Sequence, residues 1–518
     1  MLRRRVCFVL ALVVLLALVA GCKPAGPTAP APTPGSTPSP PPPAKDGIVI
    51  ALQGEPTSLD PQFPDDGNCR AVTDNVFNRL LELDGKTLAP VPGLAVEWKA
   101  VDSTTWELKL RPNVKFHSGD AFSAEDAAFS IKRIIDPAYK SQIAGNFATI
   151  KDAQAVDPLT LRIITSGPDP ILPKRLTRLD IVSKNYVTAN PDKAAVAPVG
   201  TGPYKFVAWN RGSDITLERF DGFWGPQPAI TEVKYRFIQE GSTRLAALKA
   251  GEIDLAVNLL PEYVNQAPKV VTSPGIEISF LRFNTLRGPM TNPLVRQAAN
   301  LAIDREALAR DLFLGYALPA YQMGKEGYFG FNKRLPPIPH DLEKAKALLK
   351  QAGYKGEPIE LVSERGRWLK DGELTEAVAA MLSEVGFNIK IKFLSWQEWL
   401  DTLFNVEKAP AIMFSCNGNE LFDFDRFFSA CIQTGAPQSA MSVPAIDQKI
   451  VAARTEMDPA KRQALYEELI QAVYDYNFGA PLLNLKDIYG LAKHLEWTPR
   501  EDSRITVYEM RLAGAQAQ

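Results

Sequence analysis

Residues 198–206, PVGTGPYKF, hold two glycines two apart with a lysine close behind, the raw material of a phosphate cradle. A cradle needs a row of backbone N–H donors opening into a helix, because those donors and the helix dipole hold the anion. Pro203 removes a donor directly after Gly202, and residues 204–209 read as a strand. The glycines are therefore assigned to a tight turn. Nucleophiles and metal ligands are equally scarce. His117, His340 and His494 are the three histidines, widely spaced, and G-x-S-x-G, H-E-x-x-H, C-x-x-C, G-x-x-x-x-G-K-[ST] and G-x-G-x-x-G are all missing. No catalytic group, metal site or cofactor is expected. Cys416 and Cys431 are near enough in sequence to pair across a short loop, or to remain two buried thiols.

With so little chemistry to place, the elements around it carry the reading. Arg3, Arg4 and Arg5 precede fifteen apolar residues, 6–20, and the run ends in LVAGC. A basic start and an apolar stretch short of the ~20 residues of a spanning helix describe an export signal (1–21), and small residues ahead of Cys22 resemble a lipobox, which makes Cys22 the lipidation site. Residues 24–44 contain ten prolines and no acid or aromatic group, so 22–46 is read as a tether. In the extended polyproline form, at ~3.1 Å per residue, it reaches roughly 60 Å. Without the three leader arginines the chain has 55 basic and 59 acidic residues, and nothing in that balance courts nucleic acid.

The body is long enough for about three domains of ~150 residues. TWELKLRPNVKF puts Trp106, Leu108 and Leu110 on one strand face, and DITLERF does the same with Ile215, Leu217 and Arg219. Helical periods run through NPLVRQAANLAIDREALARDLF, DLEKAKALLKQAGY and DPAKRQALYEELIQAVYDY, the last with a stripe of Leu465, Leu469, Ala472, Val473 and Tyr476. Asp341 and Asp458 suit N-caps, Pro459 a first helical position, and Gly353 and Gly386 the residue after a C-cap. The class is mixed α/β in more than one lobe.

Five segments in order resemble the family 5 extracellular solute-binding proteins, the oligopeptide, dipeptide and nickel receptors of ABC importers. They are PTSLDPQ with NVFNRLLELDG, LRPNVKFHSGDAFSAEDAAFSIKR, PVGTGPYKF itself, LRFNTLRGPMTNPLVRQAANLAIDREAL, and ARTEMDPAKRQALYEELIQAV. The resemblance implies an α/β, periplasmic-binding-protein type II-like fold, with two lobes, a hinge and an inserted domain in a pear shape. Lobe I would comprise 47–83, 200–283 and 485–514, the insert 84–199, and lobe III 284–484. It also implies a monomeric, lipid-anchored receptor outside the cytoplasm that hands a solute, foremost a short peptide, to a membrane permease without turning it over. A nickel chelate, an opine or an oligosaccharide is the alternative cargo. An exported hydrolase and a non-transport sensor or holdase are the rivals from other classes.

The resemblance also nominates site residues. In peptide-binding relatives an aspartate in a W-x-x-D-Y-x-D-P-x-x-F-L segment meets the ligand's α-amino group. Aligned by its ending, NGNELFDFDRFF puts Glu420 at that acid, Asp423 at the second acid and Asn417 at the tryptophan, with Asn419 beside them. Glu420 is otherwise a solvated loop acid, and Asp423 an N-cap. Arg365 and Arg367 follow the strand-like PIELVSERG and suit a ligand carboxylate, or a surface ion pair. Asn284 could reach a ligand or close a strand-end turn. Trp396 and Trp399, three apart on a helix, pack in a core, with one ring able to line a cleft.

Overall fold

The computed structural model describes residues 47–64 and 66–513; the leader and the tether, Cys22 included, lie outside them. Two strands decide the architecture. Lys269–Phe283 has 15 residues and Gly479–Leu491 has 13, well beyond the usual five or six, and they run antiparallel side by side. Their length lets one eleven-stranded sheet serve two lobes. On one flank Ile412–Gly418 pairs with Lys269–Phe283, followed by Pro358–Ser363 and Asn388–Phe393. On the other, Leu255–Ala256 pairs with Gly479–Leu491, followed by Gly47–Leu52, Glu232–Phe237, Asp214–Arg219 and Tyr204–Asn210. A separate four-stranded antiparallel sheet joins Ala95–Ala100, Thr105–Leu110, Thr160–Thr165 and Ile150–Asp157.

Each region has its own core. Ile50, Val233 and Leu491 belong to one cluster, and Trp106, Leu108 and Ile163 to the small sheet's cluster. In the far lobe the long strand feeds two cores by alternation: Ile278 and Phe280 face one, Leu281 and Phe283 the other. The cores do not follow borders at 83/84 and 199/200. Leu80 and Leu81 pack with the small sheet, Leu83 and Leu88 with the far lobe, and Val182 and Val187 with the first lobe.

Midway along, the two long strands lose register. Pro274 faces Lys486 and Ile278 faces Asn484, so four steps on one strand oppose two on the other. Such a bulge bends and twists the strand, and bulges concentrate beside functional sites. Gly275 sits inside it, where a Cβ would lie 2.7 Å from the Leu485 carbonyl oxygen.

Local expectations fare unevenly. Asp341 and Asp458 accept from Lys344 and Lys461 N–H at 2.9 Å each, and Gly353 and Gly386 take positive φ past their helix ends. The helix expected through 292–313 is broken: Pro293–Ala302 ends at extended Ile303, and Asp304 caps a fresh turn at Ala307 N–H, 2.8 Å away. Buried Arg305 fixes the break by donating to the Pro481 and Asn300 carbonyls. On Pro459–Tyr476 the buried residues are Arg462, Tyr466, Leu469, Ile470 and Val473; of the stripe read in sequence Leu469 and Val473 are among them, and Leu465, Ala472 and Tyr476 pack half-buried against the same core. In PVGTGPYKF the glycines answer to crowding rather than to a left-handed turn. A Cβ on Gly200 would lie 2.1 Å from the Val76 carbonyl oxygen and one on Gly202 2.6 Å from the Val76 carbonyl carbon.

Candidate functional site

A cavity of about 530 Å³ opens where the long strands cross between lobes, within the size range of small-ligand sites. The helix Gly67–Val76, residues 257–260 and the 502–505 loop line it from the first lobe. The 365–373 loop and Glu420 line it from the other, with Glu277 and Asp487 on the long strands between them.

The 365–370 loop, which leads into the helix Asp371–Glu384, is built by one carboxylate. Asp371 accepts from the backbone N–H of Gly366 (3.0 Å), Arg367 (3.0 Å) and Trp368 (2.8 Å), which curls the chain and turns Arg365, Arg367 and Trp368 to the cavity. Behind it, burial and the adjacent Asp371 raise the Glu364 carboxyl to about 8. Trp368 packs edge-on against Trp396 and Trp399, which stack on each other 5.1 Å apart. Arg367 lies over the Trp396 ring at 5.5 Å; Arg365 pairs with Glu376 and covers Phe393 at 3.8 Å.

Glu420 forms an opposite corner. Its Oε1 pairs with Arg70 at 2.8 Å, its Oε2 pairs with Arg178, and Arg426 stands 3.8 Å away. Burial opposes its charge, yet Arg178, Arg70 and Arg426 outweigh burial and hold the carboxyl down at about 2. The chain therefore clasps itself here: Arg70 comes from the Gly67–Val76 helix, Arg178 from beyond the small sheet, Glu420 from the far lobe. Lys174 and Arg175 extend the clasp, donating to the Phe422 carbonyl at 2.7 Å and to Asp425 at 3.4 Å.

The strand wall is different. Asp487 Oδ2 is buried without a close hydrogen-bond partner among the described residues, although Ser503 and Tyr489 bond to the carboxyl group. Burial pushes its carboxyl up against the opposing pull of Ser503, Lys325 and Tyr489. Burial likewise lifts Glu277 to about 7, with Asp487 and Glu420 adding to it and Arg367 and Arg70 opposing.

Of the residues nominated from sequence, Glu420, Arg365 and Arg367 meet at the cavity; the others do not line it. Asp423 is a buried structural acid, accepting from both Arg462 Nη atoms at 2.7 and 2.8 Å and from Asp425 N–H at 3.0 Å; the cap position next to it belongs to Phe424. Asn419 donates to the Asp423 carbonyl at 2.8 Å, and Asn417 lies against Cys431. Asn284 bonds the Ala409 carbonyl at 2.9 Å, at the outer end of the long strand. Trp396 is 40% exposed on the helix Trp396–Leu403, and Trp399 is the core ring. Cys416 and Cys431 are free thiols. Sequence reading missed Arg70, Arg178, Asp371, Glu277 and Asp487. The last two carried a signal: each is an acid inside a long apolar run, PGIEISFLRF and LLNLKDIYGL.

A sheet shared by two lobes, crossed by two long strands over a charged cavity, defines a two-lobed binding protein. Residues 89–436 match the bacterial extracellular solute-binding proteins, family 5 Middle, and the chain belongs to that family. It is 33% identical over 320 residues to the glutathione-binding protein GsiB of Pectobacterium atrosepticum, covering 60% of this chain and 62% of that protein. It is 27% identical over 469 residues to the dipeptide-binding protein of Escherichia coli, covering 83% and 87%. Among solved structures, the periplasmic binding protein DppA of Helicobacter pylori in complex with peptide STSA superposes with TM-score 0.78 at 28% identity, covering 90% of this chain and 98% of that one.

Proposed function

We propose that the protein is the solute-binding receptor of an ABC importer, tethered outside the cytoplasm through lipidated Cys22, and that it captures short peptides and delivers them unaltered to a membrane permease. The observation that carries this reading is the charge of the cavity wall: among the described residues eight Arg and Lys side chains and nine Asp and Glu side chains line it, contributed by both lobes. A near-balanced wall carrying both signs suits a zwitterion, whose two charged ends can each be met by groups of the opposite sign. The wall also suits closure. A ligand touching both lobes stabilises the closed arrangement by its differential affinity, and the bulged long strands are where the lobes can bend. The names of the dipeptide- and glutathione-binding relatives favour the same class of cargo. Among the described residues no helix is long and apolar enough to cross a membrane.

The experiment is to unfold and refold the purified body, identify by mass spectrometry what it releases, and measure melting with peptide pools added back. Short peptides in the released fraction, and a gain in stability that follows RT ln(1 + [L]/Kd), are expected. Release of a sugar, an opine or a metal chelate would reassign the cargo. Sustained cleavage of added peptides would reject the receptor reading.

A further inference from the structure

Resting on the reading of the molecule as a two-lobed receptor, we infer that Arg175 and Asp425 form a reversible joint between the small-sheet unit and the far lobe, made as the cleft closes and broken as it opens, outside the cavity that takes the cargo.

The small-sheet unit has two neighbours and is held to them in different ways. Toward the first lobe it is welded. Arg79 ties Asp74 of the Gly67–Val76 helix to Asp180, which stands 3.1 Å from the guanidinium, and all three residues are buried. Gln62 is fully enclosed and donates to the carbonyls of Asp180 at 2.9 Å and Ser130 at 3.1 Å. Arg504 donates to the Thr177 carbonyl at 2.7 Å, and Val182 and Val187 sit in the first lobe's core. Parting these groups would strand buried donors and charges.

Toward the far lobe the contact is built differently. Arg175 stands on the short helix Leu172–Leu176, whose two leucines pack in the small sheet's core. Its Nη2 reaches Asp425 at 3.4 Å across the seam, and both residues are buried. Each ion also keeps a nearer partner on its own side. Arg175 Nε donates to Asp169 at 3.0 Å and its Nη1 to the Asn146 carbonyl at 2.7 Å, while Asp425 accepts from Arg454 Nε at 2.8 Å. The leg across the seam is therefore the longest of the set, and its loss leaves neither charge alone. The heavy penalty for separating a buried pair falls on a member left uncompensated, so a pair backed on both sides can be made and broken. Lys174 adds one bond across the seam, to the Phe422 carbonyl at 2.7 Å. Apolar contact accompanies it: Leu83 and Leu88 pack with the far-lobe core, and Met457 of the far lobe packs against the core of the small sheet. Neither Arg175 nor Asp425 lines the cavity. The joint thus favours the closed arrangement with or without cargo and adds to what a ligand contributes.

The test is hydrogen exchange of the purified full-length protein in detergent, read by mass spectrometry on fragments covering 172–178, 420–428 and, as a reference, the core strand 105–110. It compares the wild type, Asp425→Asn and Arg175→Lys, each with and without a pool of synthetic di- to tetrapeptides. Arg175→Lys keeps one charge for Asp169 without the second nitrogen that spans to Asp425. In the wild type without peptide both seam fragments should exchange faster than the reference, and the pool should slow them together. Each variant should speed exchange on the side it does not alter, Asp425→Asn at 172–178 and Arg175→Lys at 420–428, by about three- to tenfold with the reference unchanged. Variants that affect only their own side overturn the joint. So do seam fragments as slow as the reference and unmoved by a pool that protects residues 366–368, a result that leaves the receptor reading standing. A pool that protects nothing overturns the peptide reading, and the reciprocal effects of the two variants still decide the joint. If a variant speeds the reference as well, and so is misfolded, raising sodium chloride from ~0.05 to ~0.5 M on the wild type replaces it: the seam fragments should quicken relative to the reference, and unchanged ratios count against the proposal.

Discussion

Two acidic corners of one cavity behave in opposite ways. At Glu420 three guanidinium groups surround a buried carboxylate and hold it ionised, down at about 2. On the strand wall Glu277 and Asp487 are also enclosed, no guanidinium stands at ion-pair distance among the described residues, and burial pushes both carboxyls up. The residue type is nearly the same, Glu420 being buried and the two strand acids half-buried. What differs is the supply of counter-charge, which decides whether the fold favours the ionised or the neutral form of an enclosed acid.

The largest expected effect breaks the comparison outright. Glu420→Ala removes the buried carboxylate that Arg70, Arg178 and Arg426 share and should destabilise by about 3–5 kcal/mol in urea unfolding, whereas Asp487→Asn should leave stability unchanged or raise it. Equal losses in the two variants would erase the distinction.

Titration sharpens it. The Glu420 carboxyl is lowered in the fold, so its stabilisation is present above the unfolded value near 4.5 and is lost as pH falls toward about 2. Glu277 is raised, so its contribution is present below about 4.5 and is lost as pH rises through about 7. Glu420→Gln should flatten the acid limb of the stability profile, and Glu277→Gln should flatten the decline between about 4.5 and 7, each limb amounting to up to ~1.4 kcal/mol per pH unit.

Gly275→Ala comes next. Its Cβ would press on the Leu485 carbonyl at 2.7 Å, so the variant should lose about 1–3 kcal/mol in thermal unfolding and weaken peptide binding through the displaced Asp487. The smallest effect is expected from Asp371→Asn. It trades charge-assisted acceptance of four amides, Gly372 included, for neutral acceptance, at about 1–2 kcal/mol, and should speed hydrogen exchange at Gly366, Arg367 and Trp368 while leaving the Glu420 corner protected.

Much of the frame was legible in the chain, for reasons of short range. Asp341, Asp458, Gly353 and Gly386 mark helix ends because a cap is settled within a few residues. The inward alternation of Trp106, Leu108 and Leu110 follows from the strand period alone. Legibility failed where distant segments compete. Asp304 and the carbonyls that hold Arg305 broke a helix that periodicity would have run through. The glycines of PVGTGPYKF looked like turn residues because the backbone of Val76 that crowds them is more than a hundred positions away.

The same division runs through the site. Family motifs, the α/β class and the acid at 420 were set by the order of residues, since local patterning and ordered segments survive in one dimension. Which acid is satisfied and which is left wanting was decided only in three dimensions. Charge compensation falls steeply with distance, and the arginines that neutralise Glu420 come from positions 70, 178 and 426, brought within ångströms of it only when the lobes assemble.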